Sequence, residues 1–219
     1  MFNHKRVLLF DFETTGLNPL FEQVIEIGAI VLEPVNGTYT IVDELSTLVI
    51  ADKPLSPKIT EITHITDEML LRDGISESEA FEKLYLMYKN KDTLLIAYNI
   101  VFDLGFLEQL FKKYDLPQFE IKNDILDVMA VYKDRFPYPH RLDQAVAKYQ
   151  VNVKNTHRAL DDIKATYEVL LKMNEEKPNI SHYVNKIGFN PKYGVNGKKL
   201  PHVKYIAQYG GRFEIEKDK

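Results

Sequence analysis

Residues 7–19 read VLLFDFETTGLNP, so four apolar residues run directly into Asp11 and Glu13. Such a run predicts a buried strand, and alternation along an extended chain turns both acids to the same face. Burying an isolated ionised carboxylate costs many kcal/mol unless it is paired or bound to metal. No Lys or Arg lies within the run. The chain must therefore fold so that a compensating positive charge reaches the end of its first strand.

The remaining pattern predicts the scaffold. Val- and Ile-rich runs at 7–10, 24–32 and 41–50 are bounded by GLNP, EPVNGTY and ADKP, which reads as three strands joined by turns, an antiparallel opening. Residues 57–71 read as a loop with short helical pieces, and 77–88 carry helical spacing at Phe81, Leu84, Tyr85 and Tyr88. TLLIAYN is a short strand, and helices are expected over 103–114, 126–132, 142–149 and 159–173. Strands first, then alternating helices and strands, predict an α/β fold with helices packed on a mixed sheet. EEKPN at 175–179 marks a boundary, after which Gly188, Gly194, Gly197, Gly210 and Gly211 break every period. A domain over 1–174 and a basic, Gly-rich extension of hairpin and loop over 175–219 are expected.

More acids point the wrong way for a solvated surface. Asp103 shares a helical face with Phe106, Leu107 and Leu110. Of the adjacent pair in HRALDDIKATYEVLLKM, Asp161 lies on a charged stripe with Lys164 and Glu168, whereas Asp162 lies with Ala165, Thr166, Val169 and Met173. Asp162 is the inward acid. His157 stands five residues before it, which places it in the loop ahead of the helix rather than on the same face. Asp11, Glu13, Asp103 and Asp162 cannot converge as anions without cations. With no Cys in the chain, thiolate sites and disulfides are excluded, and hard oxygen ligands suit Mg²⁺ or Mn²⁺ rather than Zn²⁺. Two such ions about 4 Å apart form a clamp for phosphoryl chemistry, and a His with a pKa near 6.5 is suited to act as general base.

Composition bears on the partner only through its distribution. The 219 residues carry a net charge of −4, yet residues 181–219 hold +5, leaving −9 for the remainder. An acidic body whose carboxylates bind metal is compatible with a nucleic-acid substrate. MFNHKRVLLFDF has too short an apolar run for a signal peptide, and no stretch approaches membrane-spanning length. A soluble, cytoplasmic protein is expected.

Taken in order, DFETTG (11–16), YNIVFDLGFL (98–107) and HRALDDI (157–163) resemble the three motifs of the DEDDh 3′→5′ exonucleases, the family of the DNA polymerase III epsilon proofreading subunit, ribonuclease T and oligoribonuclease. The likeness spans residues 7 to about 172; each motif is modest alone, and three in order are specific. The resemblance implies an RNase H-like fold, a mixed five-stranded sheet with helices on both faces. It implies release of nucleoside 5′-monophosphates from single-stranded DNA or RNA 3′ ends, DNA being favoured, and a DNA polymerase as a partner. Metal binding passes to Asp11, Glu13, Asp103 and Asp162, with Asp11 bridging two ions, and the general base to His157. Substrate contacts pass to Phe12, Thr14, Thr15, Gly16, Leu17, Asn99 and Phe102, Leu17 being the apolar wedge. ILDVMAVYK, with Asp127, resembles a further family segment. Many members have His where Tyr98 stands and Gly where His64 stands.

Two rival readings are open at this point. DFETTG superficially resembles the D-x-D-x-T of haloacid-dehalogenase phosphatases, although that chemistry needs Asp rather than Glu13 in second place. A non-catalytic or partner-dependent nucleic-acid or polymerase-binding subunit on the same fold is the other. In the extension, Lys186, Lys192, Lys198, Lys199, Lys204 and Arg212 interleave with Phe189, Tyr193, Tyr205 and Tyr209. That pattern suits either a single-strand binding flap or a hairpin whose aromatics pack inward.

Overall fold

The computed structural model describes residues 1–152, 158–195, 197–210 and 212–218. In it, β1 (Val7–Thr14), β2 (Val24–Val35) and β3 (Thr38–Leu48) form the expected antiparallel opening. Asn36 and Gly37 alone join β2 to β3, both at positive φ, 52° and 82°. Such a two-residue turn matches the twist of the strands it connects. β4 (Leu94–Ala97) runs parallel to β1, and β5 (Ile125–Asp127) parallel to β4, giving the order β3-β2-β1-β4-β5. The mixed five-stranded sheet is the one expected.

Alternation along β1 divides the interior. Leu8, Phe10 and Phe12 pack with Phe81 and Leu84 of α3 (Glu77–Tyr88) and with Phe106 and Leu107 of α4 (Ile100–Tyr114). Val7 and Leu9 pack on the opposite face with α5 (Val128–Arg135), α6 (Leu142–Tyr149) and α7 (Ala159–Glu176). β2, between β3 and β1, is buried on both faces from Val24 to Leu32. Two short helices, Pro57–Thr63 and Asp67–Asp73, start at side-chain caps from Ser56 and Thr66, as the Ser and Thr positions favour. His64 ends the first of them at φ 58°, a left-handed conformation that favours glycine.

Two expectations are corrected. The helix expected over 126–132 begins at Val128, and residues 125–127 are instead β5. So short an apolar run has no period of its own, and pairing with β4 settles its conformation. The extension holds no hairpin between its strands: β6 (Lys186–Phe189) and β7 (Lys204–Ala207) pair in parallel, Lys186 opposite Lys204. A parallel pair needs a long return, and residues 190–203 provide it, with Leu200 and Val203 entering the core beside α4. Ile180, Tyr183 and Ile215 enter the core on the other face.

Asp134, fully buried, fastens the end of the chain. Its carboxylate accepts from Tyr183 Oη at 3.0 Å, Ile215 N at 2.9 Å and Glu216 N at 3.0 Å. Two of the extension's cations are engaged in ion pairs: Lys198 bonds Glu108 of α4 at 2.9 Å, and Lys204 bonds Asp218 at 2.7 Å. Tyr193 and Tyr209 are exposed.

Candidate active site

β1 carries Asp11 and Glu13 out of the core at its C-terminal end, on the face covered by α7. The first turn of α7 brings Asp162 to them. Carboxylate oxygens of Asp11, Glu13 and Asp162 lie within 4.8 Å of one another. Asp103, in the first turn of α4 and 1 % exposed, approaches from the other side of the strand end, where its Oδ1 accepts the Phe12 backbone N–H at 3.1 Å. It lies inside the helix, three residues beyond Ile100, rather than at the cap, which is Asn99.

The electrostatics follow from that crowding. Burial, and then the charges of Asp162 and Glu26, push the Asp11 carboxyl up to about 7. Burial, followed by Asp11, Asp162 and Glu26, pushes Glu13 up to about 9, and Arg158 pulls in the opposite direction. Asp103 is raised well above the carboxylate range by burial and by Asp11. A cluster of acids that resists ionisation when alone is what a bound cation stabilises in its ionised form. The oxygen-only donor set fits a hard divalent ion.

Backbone geometry delivers Asp103. Asn99 opens α4 in the left-handed region at φ 67°, and its N–H is held by Asp127 Oδ1 at 2.9 Å. The same oxygen caps α5 through Met129 N at 3.0 Å. Asp127, 2 % exposed, is pushed up to about 6 by burial against the opposing pull of these backbone donors. Tyr98 hydrogen-bonds the His140 carbonyl at 2.8 Å.

The turn after β1 is tied down by its own polar groups. Thr14 Oγ1 donates to Gly16 O at 2.7 Å, and Thr15 Oγ1 donates to Glu22 at 2.6 Å while accepting from Gln23 N at 2.9 Å. A Cβ at Gly16 would meet Glu22 Cδ at 2.7 Å. Beyond it Leu17 stands 85 % exposed. Leu17, Asn99 and Phe102 line one cavity of about 850 Å³ together with Lys198 and Tyr205 of the extension. Phe12 points the other way, into the core.

The structure thus gathers Asp11, Glu13, Asp103 and Asp162, and sets Leu17, Asn99 and Phe102 on an adjoining wall. His157 lies outside the described residues. The other histidines have structural partners where these are resolved: His4 with Asp124, His140 with Phe136 O, His182 with Ile215 O and His202 with Asn123 O. Glu26 is the residue that sequence reasoning passed over. Its signal was present, since VIEIGAIVL places one acid inside an otherwise apolar strand.

The family model described as Exonuclease (RNase_T) matches residues 8–170. The chain is 33 % identical over 185 residues to a DNA polymerase III PolC-type of Pediococcus pentosaceus, covering 81 % of this chain and 12 % of that protein. With the PolC-type polymerase of Bacillus subtilis it is 35 % identical over 172 residues, 76 % of this chain and 11 % of the relative. It therefore spans about an eighth of the length of these relatives. The zinc-ion-bound E. coli ExoI–ssDNA complex superposes with a TM-score of 0.70 at 19 % identity, covering 83 % of this chain and 43 % of that one, a likeness of fold.

Proposed function

The chain belongs to the RNase_T exonuclease family, and from that premise we propose that it is a metal-dependent 3′→5′ exonuclease acting on single-stranded nucleic acid, DNA favoured and RNA accepted. The observation that carries this reading is the meeting of Asp11, Glu13 and Asp162 within 4.8 Å from two separate elements, with buried Asp103 on the far side of the same strand end. A scaffold has no use for four mutually repelling acids. Membership of this family also removes the phosphatase alternative.

Asp11, Glu13, Asp103 and Asp162 are the residues that would hold two Mg²⁺ or Mn²⁺ ions. When bound, such ions generate hydroxide from water at neutral pH and stabilise the leaving oxygen. His157 takes the proton of the attacking water; the new P–O bond forms as the bond to the 3′ oxygen breaks, and a nucleoside 5′-monophosphate leaves. Thr14, Thr15 and Gly16 present backbone to the terminal nucleotide, Leu17 wedges against the last bases, and Asn99 and Phe102 line the neighbouring cavity. The PolC-type relatives support a polymerase-associated role. Among the described residues no helix is long and apolar enough to cross a membrane, and we place the protein in the cytoplasm.

The test is a gel assay of 5′-labelled single-stranded DNA and RNA of equal sequence, with Mg²⁺, with Mn²⁺ and with EDTA, alongside the His157→Ala protein. The expected result is a ladder shortening from the 3′ end, absent in EDTA and nearly absent in the variant. No ladder on either strand would replace this reading with a non-catalytic binding subunit.

A further inference from the structure

Glu26 is 0 % exposed and sits on β2 directly opposite Glu13 in the β1–β2 register. A further acid beside a crowded acidic cluster has an electrostatic cost, so its contacts carry information. Glu26 Oε1 accepts from Arg158 Nε at 2.9 Å and Nη2 at 2.7 Å. Glu26 Oε2 accepts from the Ala159 backbone N–H at 3.2 Å. Both oxygens are therefore committed to the start of α7, a helix whose own first residues supply no side-chain cap. The first N–H groups of a helix need an outside acceptor, and an anion is favoured there. Here the cap comes from a neighbouring strand.

A second contact on the same strand fixes the same turn. At Gly28 a Cβ would lie 2.5 Å from Ala159 C and 2.6 Å from Leu160 N, so the helix backbone rests on bare β2. Asp162 follows Ala159 by three residues, within one helical turn, and its N–H bonds Arg158 O at 3.0 Å. β2 also holds β1 through Asp11 opposite Gly28 and Glu13 opposite Glu26. One strand thus sets both halves of the acidic cluster.

We propose that Glu26, through Arg158 and the Ala159 N–H, is a positioning residue of the metal site, setting the distance between Asp162 and the Asp11–Glu13 pair while binding no ion itself. The inference rests on the metal-dependent reading above. Groups that orient metal ligands typically change affinity or activity about 10- to 100-fold when removed.

The test compares wild type, Glu26→Ala, Glu26→Gln, Arg158→Ala and the double variant in Mn²⁺ titrations without nucleic acid, followed by electron paramagnetic resonance, and in kcat and KM on an oligonucleotide. Circular dichroism at the assay temperature gives the folded fraction. Glu26→Ala is expected to weaken Mn²⁺ binding and lower kcat about 10- to 100-fold, at unchanged stoichiometry and with KM within about three-fold, since the loss is of alignment. Glu26→Gln keeps an acceptor for Ala159 N–H but loses the charge, and an intermediate value is expected. Arg158→Ala should add little to Glu26→Ala, because the two act as a unit. Should Glu26→Ala not fold, Glu26→Gln and Arg158→Ala carry the comparison. Wild-type Mn²⁺ affinity in these variants, losses that only track the unfolded fraction, or a stoichiometry reduced by one ion would each overturn the proposal. A wild type that binds Mn²⁺ but cleaves nothing would refute the exonuclease reading alone, because the Mn²⁺ constants still decide the role of Glu26.

Discussion

Gly28→Ala puts the docking of α7 on β2 to a quantitative test. Gly28 lies in mid-strand, opposite Asp11 on β1 and Ser46 on β3. Its backbone is not in the left-handed region, so Ala suits the conformation and reduces unfolded-state entropy, a gain of about 0.5–1 kcal/mol. Space is the obstacle. The added carbon would lie 2.5 Å from Ala159 C, where ordinary contact begins at 3.4 Å, so the first turn of α7 must retreat by up to 3.4 − 2.5 = 0.9 Å. The blocking atoms are backbone, and no rotamer change relieves them. Overpacking of this kind costs about 1–3 kcal/mol, which leaves a net loss of about 0–2.5 kcal/mol after the entropic gain, or up to about 10 °C in Tm at this chain length. Because Asp162 rides on the displaced turn, and a misplacement of about 1 Å can cost 10²-fold in rate, kcat should fall far more than stability. The assays are a melt in EDTA and single-turnover cleavage of a labelled oligonucleotide. Gly37→Ala is the control: at φ 82° with open space around it, it should lose about 1 kcal/mol of stability and keep its kcat. Full kcat in Gly28→Ala would refute the claim that this contact sets the position of Asp162.

Three more perturbations follow. Asp11→Ala and Asp162→Asn should each abolish cleavage while leaving the Tm in EDTA equal or higher, because one member of a repelling set is gone; full activity in either would sink the metal assignment. In EDTA, the raised carboxyls, about 7 for Asp11 and about 9 for Glu13, stay protonated in the fold below those values but ionise in the unfolded chain from about pH 4, so stability is lost as pH rises from about 4 to 7 through Asp11 and from about 4 to 9 through Glu13. Melts across that range should show a falling contribution that Mn²⁺ reverses and that Asp11→Ala reduces, and an identical pH dependence in all three samples would contradict it. Asp134→Ala strands the Tyr183 hydroxyl and the Ile215 and Glu216 N–H groups, each unsatisfied group costing about 1–3 kcal/mol. Limited proteolysis should then release the C-terminal segment early, and wild-type protection would show that the segment is held by packing alone.

How much of this was legible in the chain depends on the range of the interaction concerned. Val7 through Glu13 already declared a buried strand ending in two acids, and helical spacing alone picked Asp162 over Asp161 as the acid that meets them, because each is a property of one element and its apolar face. The residue types sufficed to name a hard cation, since four converging carboxylates without thiols leave few alternatives. Residues 125–127 carried no such information: three residues, Ile-Leu-Asp, have no period, and only the edge of β4 made them a strand. The extension was legible only as hairpin and loop, not as the parallel pair β6 and β7, since strand direction is set by where Leu200 and Val203 anchor in the core. Glu26 was visible as an anomaly, one acid within an apolar strand, yet its partner Arg158 lies 132 residues away. Local periodicity reports which face of an element avoids water, and the contacts that align α7 with β1 join residues far apart in the chain, so they came into being only with the tertiary structure.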